Sequence, residues 1–275
     1  MSKAKRLKNQ KVAKGTEVVE SNKDSKKTKG KDQSEYIFQG KKLEIQLDIK
    51  VHHELSDKQK TFLETILDKK TNIVFLRGPA GTSKSYLAVL AALTALNAKT
   101  QSDILYIRSP VEVGKTIGHL PGEFADKIGP YLAPLYDKLD ELISKGEADM
   151  LVKTQKIAGT IPNFLRGQSW NCKYIIVDEA QNLSPIELKT IITRFGKRSK
   201  LIFLADEAQS DIKGKVEFMR YFDMFNNPSS KEYGIHCLSF AREDIVRSPI
   251  LGYILDRIEG TYTPESNEPM FAPQQ

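Results

Sequence analysis

From Lys42 to Val51 apolar and polar side chains alternate without a slip: Leu43, Ile45, Leu47, Ile49 and Val51 against Lys42, Glu44, Gln46, Asp48 and Lys50. A period of two predicts a half-buried strand. Gln39-Gly40-Lys41 ahead of it predicts a turn back to Tyr36–Phe38, hence a short β-hairpin over residues 35–52. The period then changes: Phe62, Ile66 and Leu67 predict a helix over Asp57–Leu67. Beyond it come five short, continuously apolar runs, Asn72–Leu76, Ile104–Ile107, Tyr174–Val177, Leu201–Leu204 and Ile235–Leu238. Strands that read this way are covered on both faces.

Helical patterns separate these runs. Leu87, Leu90, Leu93 and Leu96 make an apolar stripe after Ser83. Over Ser184–Phe195 the end signals agree: Ser184 and Glu187 form a capping box, Pro185 takes the first helical position and Gly196 follows the last. Glu123–Lys145 also has a helical period, through Ile128, Leu132, Leu135, Leu139 and Leu142, interrupted by Pro130 and Pro134. It reads as a helical insertion between the second and third strands. The alternation predicts an α/β fold with a mostly parallel sheet flanked by helices.

Composition adds the ends. The chain has 275 residues and a formal net charge of +7 from 42 basic and 35 acidic residues. Residues 1–32 hold 11 of the bases and 4 of the acids, which leaves 31 of each in the remainder. The excess thus sits in a Lys/Ser/Thr-rich stretch, residues 1–34, expected to be a disordered basic tail. Residues 260–275, rich in Pro, Glu and Gln, are expected to be a second loose tail. With two cysteines and four scattered histidines there is no disulfide framework and no metal-binding spacing. No apolar run has membrane-spanning length, so no membrane partner and a cytoplasmic location are expected.

The chemistry begins where the first apolar run ends. Gly78, Pro79, Ala80, Gly81, Thr82, Ser83, Lys84 and Ser85 read GPAGTSKS, between a predicted strand and a predicted helix. That context is the one a Walker A loop requires: backbone N–H groups and a helix N-terminus surround the phosphates of ATP. Lys84 would reach the β- and γ-phosphates and the Ser85 hydroxyl would ligate Mg²⁺. The loop departs from the consensus at Ser83, which stands where a glycine precedes the lysine.

Tyr174–Val177 runs into Asp178 and Glu179, as a Walker B strand does. Asp178 would hold the magnesium shell and Glu179 would polarise the attacking water. Gln209, after the next strand, is placed to sense the γ-phosphate, and Gln59 is a candidate reader of the adenine edge. Three functions stay open on these residues: an ATPase acting on nucleic acid, a P-loop kinase, and a nucleotide-binding regulator with little turnover.

The ordered motifs GPAGTSKS, VEVGKTIGHLPG (Val111–Gly122), KIGPYLAPLYDK (Lys127–Lys138), IVDEAQN (Ile176–Asn182) and DIVRSP (Asp244–Pro249) resemble the PhoH family. The likeness covers roughly residues 57 to 258, within a domain drawn as 53–259. It implies a RecA-like ATPase core akin to the first motor domain of superfamily 1 helicases. It also implies a link to phosphate starvation or RNA metabolism, and ring-shaped homo-oligomers, a hexamer among them. Carried over, Lys84 and Ser85 match the phosphate and magnesium contacts and Asp178 and Glu179 the Walker B pair. Gln209 matches the motif III glutamine, and Arg247 the arginine that stabilises transition-state charge. Ala205-Asp206-Glu207-Ala208-Gln209 departs from the family's GDPTQ. With one phosphate loop and about 95 residues after Asp178, a second wall of the ATP site is expected from a neighbouring subunit. The residues ahead of the motor are too few for a nuclease domain, so no nuclease activity is expected.

Overall fold

The computed structural model describes residues 41–109, 124–165 (backbone only for 124–128), 169–206 and 217–246, with 250, 254 and 257. The terminal stretches 1–34 and 260–275, the 36–38 arm of the hairpin and the 111–122 motif lie outside these residues.

Six strands form one parallel sheet in the order β3-β2-β4-β5-β1-β6. They are β1 (Ile73–Arg77), β2 (Asp103–Arg108), β3 (Ile157–Thr160), β4 (Lys173–Asp178), β5 (Lys200–Ala205) and β6 (Ile235–Ser239). Five match the predicted runs. The sixth, β3, is four residues of Ile-Ala-Gly-Thr at the sheet edge, too short and too small in side chain to announce itself.

Which face each helix covers follows from handedness. A parallel crossover is almost always right-handed, so the direction of travel along the sheet selects the face. From β1 to β2 and from β2 to β3 the chain moves one way, and α2 (Lys84–Asn97), α3 (Phe124–Leu142) and α4 (Lys145–Lys153) pack with α1 (Asp57–Leu67) over Val74, Leu76, Tyr174, Ile176, Ile202 and Leu204. From β4 to β5 and from β5 to β6 it moves the other way. Accordingly α5 (Pro185–Ile192) and α6 (Glu217–Phe225) cover Phe75, Ile175, Val177, Leu201 and Phe203. Between β5 and β6 the chain adds α7 (Pro228–Glu232). Alternate residues of each strand therefore feed two separate cores. In the second, Phe75 stacks on its register partner Phe203 at 4.9 Å and on Phe225 at 5.6 Å. Burying each such side chain contributes roughly 1.5–3 kcal/mol.

Three local readings change. The leucine stripe of α2 is only part of its buried surface, because Ala88, Val89, Ala91, Ala92 and Ala95 are buried too. This helix packs on β4 and β5 and is flanked by α1 and α3. Pro130 and Pro134 sit inside α3 without ending it. Leu132, Leu135, Leu139 and Leu142 are buried in the first core, and that packing outweighs the hydrogen bonds the prolines remove.

The third is a correction: residues 42–51 form no strand. Leu43 and Leu47 are buried in the first core, while Ile45 and Val51 are exposed. The segment is an extended strap held by side chains and helix ends. Leu47 exchanges two hydrogen bonds with the Asn97 amide at 2.8 and 3.0 Å. Asp48 N–H donates to Glu147 at 2.8 Å, and Lys50 N–H to the Leu142 carbonyl at 2.7 Å. Among the described helices, none is long and apolar enough to cross a membrane.

Candidate nucleotide site

The phosphate loop leaves the carboxyl end of β1 and enters α2, and β4 delivers Asp178 and Glu179 to the same edge across the intervening β5. Carboxyl ends near a reversal of strand order are where open α/β sheets bind ligands. Here the edge holds a cavity of about 690 Å³ lined by Gly81, Ser83, Lys84, Ser85, Asp178 and Glu179. Pockets of this size hold small-molecule ligands. The Lys138–Glu141 ion pair from α3 lines it as well, and so does His53, whose ring lies 4.9 Å from that of Tyr86.

The loop's shape follows from two residues. A Cβ on Gly78 would come within 2.8 Å of the Phe240 Cβ and 3.0 Å of its carbonyl oxygen, so the close approach of the segment after β6 requires glycine there. That segment is tied down by Phe240 N–H to the Arg77 carbonyl at 2.8 Å and Val246 N–H to the Gly81 carbonyl at 3.2 Å. Ser83 has φ 62 and ψ 24, the left-handed conformation that the consensus glycine adopts without cost. The serine does not crowd the loop out of shape; it adopts the required backbone at a penalty of about 1–2 kcal/mol. Its side chain makes no cap hydrogen bond that would offset this.

Replacing Ser83 by Gly should therefore relieve the strain, less the extra freedom glycine gives the unfolded chain. We expect a net gain of roughly 0.5–1 kcal/mol. Thermal unfolding would read this as a rise of about 2 °C, and a fall in melting temperature would contradict it.

Lys84 donates through Nζ to the carbonyls of Gly78 (2.6 Å) and Pro79 (2.8 Å). Burial lowers its pKa, against the pull of Asp206, Asp178 and Glu179. The Ser85 hydroxyl is 3.1 and 3.2 Å from the two Asp178 carboxylate oxygens. A hydroxyl and a carboxylate in contact are hard oxygen donors, and they fit Mg²⁺, which favours such ligands beside phosphate. Asp178 is 5% exposed, so its charge is confined to this edge.

Three residues without an assigned role in the sequence complete the site. The Tyr106 hydroxyl donates to Asp178 Oδ2 at 2.5 Å. Arg108 lies 3.4 Å from Asp178 Oδ2 and 3.3 Å from Glu179 Oε1, bridging both carboxylates. Gln181 donates to Glu179 Oε2 at 2.6 Å and accepts from Asp206 N–H at 3.1 Å. Burial and then Asp178 raise the Glu179 pKa, against Arg108, Gln181 and Lys84. A carboxylate whose basicity is raised in this way suits a general base. The one signal for Arg108 was a cation closing the otherwise apolar run Ile-Leu-Tyr-Ile. Its importance appears only once β2 is known to neighbour β4 in register, with Arg108 opposite Asp178.

Of the other expected residues, Gln59 is fully buried, and its Oε1 accepts from Ser56 N–H in the cap of α1 at 3.0 Å. Its Nε2 is buried with no hydrogen-bond partner among the described residues. The described residues do not bring it into the cavity lining. Gln209 and Arg247 lie outside the described residues.

Sheet order, crossover pattern and loop define a RecA-like P-loop fold. A family model described as PhoH-like protein matches residues 52–259, and the chain belongs to that family. It is 34% identical over 196 residues to the PhoH-like protein of Bacillus subtilis (strain 168), covering 68% of this chain and 58% of that protein. With the PhoH-like protein of Mycobacterium leprae (strain TN) it shares 34% over 206 residues, 72% of this chain and 56% of the relative. The chain thus spans somewhat over half the length of these curated relatives. Among solved structures, the Pyrococcus furiosus Hef helicase domain aligns at a TM-score of 0.41 and 14% identity, over 70% of this chain and 38% of that one.

Proposed function

We propose that the protein binds Mg²⁺–ATP and hydrolyses it, coupled to single-stranded nucleic acid, RNA ahead of DNA. The observation that carries this reading is the shared cavity: Lys84, Ser85, Asp178 and Glu179 all line it. In this reading the loop N–H groups and Lys84 bind the phosphates, and Ser85 and Asp178 hold Mg²⁺, which supplies charge neutralisation. Glu179 takes the proton of the attacking water, oriented by Arg108 on one oxygen and Gln181 on the other. A kinase has less support, since a base carboxylate beside the metal ligand suits water.

Gln209 and Arg247 enter as proposals, the first as a γ-phosphate sensor and the second as the charge-stabilising arginine. Arg247 acts within a homo-oligomeric ring whose neighbouring subunit closes the site. The link to phosphate starvation and a cytoplasmic location belong to the same reading.

The test is phosphate release by the full chain, with Mg²⁺ or with EDTA, and with or without single-stranded RNA. We expect turnover only with Mg²⁺ and stimulation by RNA. Equal turnover with and without RNA removes the nucleic-acid coupling, and no turnover under any condition removes the ATPase.

A further inference from the structure

The amino ends of the parallel strands, opposite the nucleotide site, carry a row of lysines. Lys156 just before β3 and Lys173 at the start of β4 share one buried carboxylate, Asp103, at 3.3 and 3.4 Å. Lys200, at the start of β5, is as deeply placed at 5% exposure but has no carboxylate partner among the described residues. Its ammonium donates to two neutral carbonyls, those of Asp68 (2.6 Å) and Thr71 (2.9 Å). An ammonium has three donors, so one remains. Burial pushes the Lys200 pKa down to about 8, against the attraction of Asp68. A buried charge with no carboxylate in contact is unfavourable, and a bound anion would relieve it.

Lys200 lies in a cleft of about 290 Å³, separate from the nucleotide cavity, where three helix-to-strand turns converge. Each turn adds an exposed cation to the lining: Lys69 before β1, Lys99 before β2 and Arg198 before β5. None of the three is in an ion pair among the described residues, and no carboxylate side chain lines the cleft. Lys70 and Lys197, also exposed, extend the positive surface beside it.

We propose that this cleft binds the phosphodiester backbone of single-stranded nucleic acid. The cations sit on separate turns rather than converging on one point, which fits a chain of phosphates better than a single anion. The lining has no aromatic side chain to stack a base, so binding here is electrostatic and independent of sequence. The partner class is that of the function proposed above, but the surface is a different one, and none of its residues touches the nucleotide cavity.

The test measures binding of a labelled 20-nucleotide single strand, as RNA and as DNA, to the full chain over a range of salt. The triple variant Lys69→Gln, Lys99→Gln, Arg198→Gln is compared with wild type and with a control triple, Lys60→Gln, Lys145→Gln, Lys153→Gln. All six residues are exposed, so both variants should fold. We expect the cleft triple to bind ~10-fold or more weakly, with a salt slope shallower by about 2. The control should stay within about threefold of wild type by the same counterion argument. Unchanged affinity in the cleft triple overturns the proposal, as does an equal loss in the control, which would reduce the effect to net charge. Basal phosphate release, read on the same samples, should be unchanged in both. An absence of phosphate release in wild type would remove the nucleotide reading and leave the cleft to be judged on the binding measurement alone.

Discussion

Glu179→Gln is expected to lower the turnover of ATP by roughly 10²–10⁴-fold, the usual contribution of a positioned general base. Affinity for ATP should change little. The substitution keeps the side chain's size, and the amide oxygen can still accept the hydrogen bond that Gln181 Nε2 gives Glu179 at 2.6 Å. Lys84, proposed for the phosphates, and Ser85, proposed for Mg²⁺, are untouched. Single-turnover kinetics beside equilibrium nucleotide binding separate the two quantities. A variant that hydrolyses ATP within about threefold of wild type would show that another group deprotonates the water, because losing a base cannot cost so little.

The second large effect concerns Arg108 and is structural before it is catalytic. Removing it leaves Asp178 and Glu179 side by side, 7% and 27% exposed in their side chains, without the cation that bridges them. Breaking a fully buried pair in this way costs about 3–5 kcal/mol. Because Arg108 is 24% exposed, we expect about 2 kcal/mol for Arg108→Ala, read as a melting temperature lower by roughly 5 °C. The sign of the mechanism can be checked independently. In the Arg108→Ala background, Glu179→Gln removes one of the two repelling charges and should recover part of the loss, a coupling visible in a double-mutant cycle. If Arg108→Ala unfolds at the wild-type temperature, or the two substitutions simply add, the bridge holds no energy worth the name.

How much of this was legible in the sequence depended on whether the determinant was local. The α5 helix announced itself because Ser184, Pro185 and Glu187 form its own cap, and the structure makes both capping bonds, at 2.8 and 3.3 Å. It stops at Ile192 rather than Phe195, since Arg194 and Phe195 bond back three residues, to Ile191 and Ile192, in place of the four that continue an α-helix. The phosphate loop and the carboxylate strand were legible for the same reason: each is a contiguous run. The strap at 42–51 was misread because alternation reports an extended chain with one face buried, and says nothing of where its backbone hydrogen bonds go. They go to Asn97, Glu147 and Leu142, which no local pattern reveals. Arg108 failed on the same ground, its partners lying 70 and 71 positions away.

Gln181 has a consequence of a different kind. A side-chain amide has a fixed polarity: its nitrogen only gives hydrogen bonds and its oxygen only takes them. Here the nitrogen is committed to Glu179 and the oxygen to the Asp206 N–H at the end of β5. Neither bond can be exchanged for the other by flipping the amide, because each end would then meet a group of its own sign. Movement of one strand end relative to its neighbour is therefore registered at the other as a hydrogen bond kept or lost. The residue works as a two-terminal link: the carboxylate beside the phosphate loop is joined through one amide to the backbone that leaves β5.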